Sequence, residues 1–142
     1  LWEKNEREIY RGQWMLCELE QEFPTWLTIW PRERMDKLFG SKTIRTGNET
    51  FDKRFNVSSD DEAAALHILT PDCEEKILAL ADSSFGKFAI NLNSDGRLYL
   101  AVHSGHGFFD LGKGREDPAQ LRRRFTRELT WFTNMIDVFR GA

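Results

Sequence analysis

The chain has 142 residues, of which 40% are hydrophobic, 13% aromatic and 30% charged, enough apolar material for one core and too little length for two independent ones. A net charge of -3 argues against nucleic acid as a partner, because neutralising its phosphates requires an excess of Lys and Arg. No apolar run approaches the roughly 18 residues of a membrane-spanning helix, and two distant cysteines, Cys17 and Cys73, fit neither a disulfide framework nor a metal knuckle, which favours a reducing compartment.

Residues 1–9 form a polar lead-in containing Glu3, Lys4, Glu6, Arg7 and Glu8. Over 10–23 the pattern alternates, with Met15, Cys17 and Leu19 on one face and Trp14, Leu16 and Glu18 on the other, which predicts a long strand. Pro24 interrupts it, and 26–30 resumes with Leu27 and Ile29 opposite Trp26, Thr28 and Trp30. This second strand is expected to pair with the first as a hairpin. Pro31 suits the first position of a short helix running to Phe39, with Gly40 as its stop, and 40–49 reads as a loop. A third strand falls near 55–58. Ser59 and Glu62 stand at the spacing of a capping box, which places a helix start close to Asp60 and ahead of Ala63, Ala64, Ala65 and Leu66. Thr70 and Pro71 repeat the start signal, Asp72, Glu74 and Glu75 complement the positive end of the helix dipole, and Ile77, Leu78 and Ala81 supply the buried stripe.

Phe88, Ile90 and Leu92, then Leu98, Leu100 and Val102, alternate with Ala89, Asn91, Tyr99 and Ala101 on either side of Ser94, Asp95 and Gly96. That is a hairpin whose Asp-Gly pair suits the positive φ angles of a tight primed turn. Gly105, Gly107, Gly112 and Gly114 surround Phe108 and Phe109. Asp117 and Pro118 then open the strongest helix, with Leu121, Phe125, Leu129, Phe132, Ile136 and Phe139 recurring at steps of three and four residues before Gly141. The sum is a single α+β domain over 1–142, with a mixed strand and helix region at 10–112 and an amphipathic helix at 117–140. The expected architecture is a mainly antiparallel sheet of about five strands, with helices packed on one face.

No convergent catalytic set is legible. His103 and His106 place two imidazoles in a glycine-rich turn, weak candidates for a metal site to which Asp110 or His67 would have to add a third ligand. The plainer reading is a polar turn, and His67, between Leu66 and Ile68, reads as a partly buried structural histidine. Gly40-Ser41-Lys42-Thr43 looks like the end of a phosphate-binding loop without the earlier glycine such a loop needs. Helix capping explains Asp60, Asp61 and Glu62 before any cation does. Ser104 has histidines on both sides in sequence, which is not the spatial arrangement that activates a nucleophile. No cofactor is expected.

Trp14, Trp26 and Trp30, with Phe108 and Phe109, are the candidate surface for a protein partner, since large rings with a polar atom suit recognition. Packing beneath helices is the commoner fate of such rings. Between Lys113 and Ala142 there are seven Lys or Arg against four Asp or Glu, so the C-terminal segment is locally basic. Arg122, Arg123, Arg124 and Arg127 stand near the start of the last helix, where its dipole does not favour them. They form either a solvated face or a contact for an anionic membrane surface. The function expected on these grounds is a non-enzymatic binding or protein-interaction module. The alternative is a metal-dependent or hydrolytic enzyme with its site around the His103/His106 turn.

The order of residues adds to their periodicity. Phe51-Asp-Lys-Arg-Phe55-Asn-Val57-Ser-Ser-Asp60-Asp61, followed by Ala65-Leu-His-Ile68-Leu69-Thr70-Pro71, resembles the bacterial family known as domain of unknown function 3137. Tyr10-Arg11-Gly12 and Asp95-Gly96-Arg97-Leu98-Tyr99-Leu100-Ala101-Val102 fit as well, so the resemblance covers most of 10–109. Ile68-Leu69-Thr70-Pro71 is its most specific part. Where the family often has Ala-Arg-Tyr, this chain has Ala65-Leu66-His67. The resemblance implies the cytoplasmic domain of a membrane-anchored protein, which would account for a chain beginning at Leu1, and transfers no catalytic residue.

Overall fold

The alternating segments assemble into one antiparallel sheet of five strands, β1 (Gln13–Glu18), β2 (Leu27–Pro31), β3 (Phe55–Ser58), β4 (Lys87–Leu92) and β5 (Arg97–His103), in the order β1-β5-β4-β2-β3. Four helices accompany it: α1 (Glu49–Arg54), α2 (Glu62–Ile68), α3 (Pro71–Asp82) and α4 (Pro118–Arg140). This computed structural model describes residues 12–33, 43–105 and 117–140. The class is the expected α+β, with five antiparallel strands and a long C-terminal helix.

Period-two alternation determines which side chains go inward. Met15, Leu100, Ile90, Ile29 and Val57 stand opposite one another in successive strands and cross the sheet as one row. Four of the five are at most 2% exposed, and Met15, on the edge strand, is half-buried. Cys17, Leu98, Leu92 and Leu27 form the next row. The helices cover this side. Trp131 of α4 sets its ring 5.1 Å from Phe88 and 5.7 Å from Phe85, and its Nε1–H donates to the Leu80 carbonyl of α3 at 2.8 Å. One indole thus joins sheet and two helices, with its polar atom satisfied. At the far side of α4, Gln13 Nε2 donates to Glu128 Oε1 at 2.9 Å, tying the helix to β1 through two buried polar groups.

The first two strands do not form a hairpin. The β4–β5 hairpin lies between them, and the segment from β1 to β2 passes beneath its turn, with Leu19 N–H donating to the Gly96 carbonyl and Phe23 N–H to that of Ser94, both at 2.9 Å. Glu20 takes a positive φ of 57°, which reverses the chain and ends β1 at Glu18 rather than at Phe23. Burial of Leu19 and Phe23 holds the crossing in place.

The β4–β5 turn also differs from the primed type. Gly96 has φ 93°, Asp95 is not in the positive region, and Gly96 N–H donates to the Asn93 carbonyl at 3.0 Å. This is a type I turn closed by a left-handed glycine, a bulged hairpin that carries the same strand twist. Pro31 ends β2 opposite Phe55 instead of opening a helix. The remainder of that expected helix, and the loop at 40–42, lie outside the described residues. The loop thought to run to Glu49 ends one residue sooner, because Asn48 caps α1 by accepting from Phe51 N–H at 3.1 Å.

The cap of α2 is Asp61, which accepts from Ala64 N–H at 3.0 Å. Ser59 Oγ is instead hydrogen-bonded to Thr25 Oγ1 at 3.0 Å. Thr70 caps α3 as expected, with Pro71 in its first turn.

Candidate functional site

The outer face of the sheet displays what the alternation sends away from the helices. Trp14, Leu16 and Tyr99 are 65%, 46% and 36% exposed. Trp14 and Leu16 are two residues apart on β1, and Leu16 stands directly across from Tyr99 on β5, so the three side chains share one patch. Next to Trp14 the row continues through Ala101 and Ala89. These small residues leave a shallow trough of about 480 Å³, bounded by Pro31, Glu33, Lys87 and His103.

Trp30 is also on the outer face, opposite Asn56, but two strands intervene between it and Trp14. At about 4.8 Å per strand that is roughly 14 Å, so the tryptophans do not make one cluster. Trp26 and Trp30 are half-buried. Phe108 and Phe109 lie outside the described residues. Leu16 and Tyr99 are the additions to the patch that sequence reasoning missed. Alternation already put Leu16 on the face of Trp14, whereas the placement of Tyr99 depends on β5 pairing with β1.

His103 is exposed at the end of β5, while His106 and Asp110 lie outside the described residues. His67 is exposed on α2, not buried, because the inward positions of that short helix go to Ala65 and Ile68. Among the described residues no three His, Cys, Asp or Glu side chains converge as a metal would require. Asp60 accepts from Thr25 Oγ1 at 2.9 Å and Asp61 serves as a cap, so the acidic run is structural. Arg122, Arg123 and Arg127 are exposed on α4, and Arg124 is half-buried one turn before Glu128.

Among the described residues the most heavily hydrogen-bonded carboxylate is Asp52. It accepts from Thr46 N–H at 3.0 Å, from Thr46 Oγ1 at 2.9 Å and from Gly47 N–H at 3.2 Å, fastening the loop before α1 to that helix. Glu74 of α3 lies nearby, 3% exposed. Burial pushes its carboxyl above the ordinary value, the Asp52 and Glu75 charges add to the rise, and hydrogen bonds from Thr46 and Asn48 oppose it. A buried acid of this kind organises a loop.

An antiparallel sheet with helices on one side and exposed apolar side chains on the other defines an α+β domain. The chain belongs to the family described as protein of unknown function (DUF3137), whose model matches residues 8–140. No curated protein and no solved structure matches the chain.

Proposed function

We propose that this domain is a non-enzymatic interaction module that docks a protein partner on the outer face of its sheet, over β1 and β5. The observation that carries the reading is the patch of Trp14, Leu16 and Tyr99, large apolar side chains left in water on two paired strands. Covering such side chains removes apolar area from water, and a central tryptophan is the residue type most often found to anchor a protein interface. In the full-length protein we place the domain on the cytoplasmic side of a bacterial membrane. The family resemblance and two free cysteines, Cys17 and Cys73, support that location.

The test is capture of a partner from detergent-solubilised extract of the host, compared with a Trp14→Ala variant of unchanged circular dichroism. The expected result is one protein retained in a fixed ratio, with capture reduced about tenfold or more by Trp14→Ala or Tyr99→Ala and unaffected by Arg122→Ala. A partner held equally well by both patch variants would overturn the proposal.

A further inference from the structure

Adjoining the trough at Pro31, Lys87 and Phe88, the end of β2, the α1–β3 junction and the start of β4 line an open cleft of about 510 Å³. Among the described residues four cations line it, Arg32, Lys53, Arg54 and Lys87, and no carboxylate does, in a chain whose net charge is -3. Two acids stand at its rim, each already engaged: Asp82 with Arg54 at 3.0 Å and Glu33 with Lys87 at 3.4 Å. Arg32 and Lys53 have no carboxylate partner among the described residues.

Arg32 is held in place by two backbone carbonyls. Its Nε–H donates to the Asp52 carbonyl at 2.9 Å, and its backbone N–H donates to the Arg54 carbonyl at 2.9 Å. The terminal guanidinium nitrogens are left as a planar pair of donors, the geometry that takes two oxygens of one anion. Pro31, Phe55 and Phe88 supply the apolar wall, and the Arg54 guanidinium lies 5.9 Å from the Phe55 ring centre. Lys53 and Arg54 at the end of α1 are favoured by that helix's dipole. The dipole does not account for Arg32 and Lys87, which come from other elements and add like charge to the same space.

We propose that this cleft binds a phosphate monoester, with the phosphate between Arg32 and Lys53 and the body of the ligand against Pro31, Phe55 and Phe88. A monoester carries between one and a half and two negative charges near neutral pH, which matches the two cations that lack acidic partners. The volume exceeds what a bare phosphate needs and falls within the roughly 300–1,000 Å³ of small-molecule sites. The same headgroup chemistry occurs in a soluble metabolite and in phosphatidic acid at a membrane surface, and the two sources are separated by experiment.

Calorimetric titration of the purified domain with phenyl phosphate, and with phenyl sulfate as a singly charged analogue, tests the site directly. The expected result is saturable binding of phenyl phosphate, with phenyl sulfate at least about fivefold weaker. Lys53→Glu is expected to lower affinity about tenfold or more, since one charge-assisted contact is replaced by repulsion. Lys53 is exposed and makes no side-chain hydrogen bond, so this variant keeps the fold, whereas Arg32→Ala also removes the tie to α1 and serves as a second probe. Arg122→Glu, on α4, is the control for the phenyl phosphate arm and should change nothing there. Sedimentation with phosphatidic acid vesicles, against phosphatidylcholine alone, forms the other arm. Binding there but not to phenyl phosphate, abolished by Lys53→Glu, would assign the monoester to a lipid. Absence of binding in both arms at millimolar ligand, or binding indifferent to Lys53→Glu, would overturn the proposal.

Discussion

Cys73 is the third residue of α3, and its surroundings decide its chemistry. Its side chain is 4% exposed, and burial, with the Glu74 and Asp72 charges adding, pushes its thiol up to about 12. A thiolate is the reactive form, so this cysteine is expected to resist alkylation in the folded protein. Cys17, half-buried on β1, has the access that Cys73 lacks. Iodoacetamide at about pH 8, close to the ordinary thiol value, should therefore label Cys17 alone, and peptide mass spectrometry should find Cys73 modified only after denaturation. Labelling of both at equal rates would show that α3 opens readily. Residue roles of this kind were only partly legible. Thr70 before Pro71 announced a cap because both signals are local. Ser59 looked equally good, but its hydroxyl is engaged by Thr25, a residue 34 positions away, and the cap passed to Asp61.

At the scale of elements, the β4–β5 turn concentrates the most constraint in one residue. Gly96 has φ 93°, a region that residues with a Cβ enter at a cost, and a Cβ there would overlap the Gln21 carbonyl of the segment passing beneath. Gly96→Ala thus adds a clash to backbone strain, and is expected to destabilise the domain by about 2 kcal/mol or more, measured by urea unfolding. A loss below about 0.5 kcal/mol would mean that the crossing segment moves aside freely. The hairpin itself was evident from alternation on both sides of Asp95-Gly96, and only its turn type was not. The long helix shows a similar division. Its start is the reciprocal pair in which Asp117 accepts from Gln120 N–H at 2.8 Å and Gln120 accepts from Asp117 N–H at 3.3 Å. Its predicted stripe holds for Phe132, Ile136 and Phe139, but Leu121, Phe125 and Leu129 are only half-buried. Trp131 and Met135 are buried instead, because the face a helix presents depends on where its neighbours lie.

For the whole molecule, pH acts through the buried acid that joins the loop at 43–48 to α3. The Glu74 carboxyl is raised in the fold above 4.5, first by burial and then by the charge of Asp52. The folded state therefore holds that proton more tightly than the unfolded chain does. Its contribution to stability is complete below the ordinary value and declines as pH rises through the folded one. Glu74→Gln removes this dependence. The difference in unfolding free energy, variant minus wild type, should increase as pH rises from 4.5 through the raised folded value, because the buried carboxylate is costly once ionised. Thermal or urea unfolding across that range is the check, and a constant difference would mean that Glu74 is solvated.

Much of the local structure was written into short stretches of the chain. Period-two alternation identified four of the five strands and sorted inward from outward side chains, since each pleat has only two faces. Start signals at Thr70 and Asp117, and the three- and four-residue spacing beyond Asp117, located two helices by interactions within a turn. The six-residue α1 was missed, because Phe51 is its only buried apolar residue and a single residue has no period. Strand order was the work of tertiary structure: Leu19 and Phe23, once buried beneath the β4–β5 turn, carry β2 to the far side of that hairpin. The same long-range pairing brings Tyr99 beside Leu16, and gathers Arg32, Lys53 and Lys87 from three separate segments around one cleft. No local spacing encodes such meetings, because they follow from which apolar faces can be buried together and not from the residues that meet.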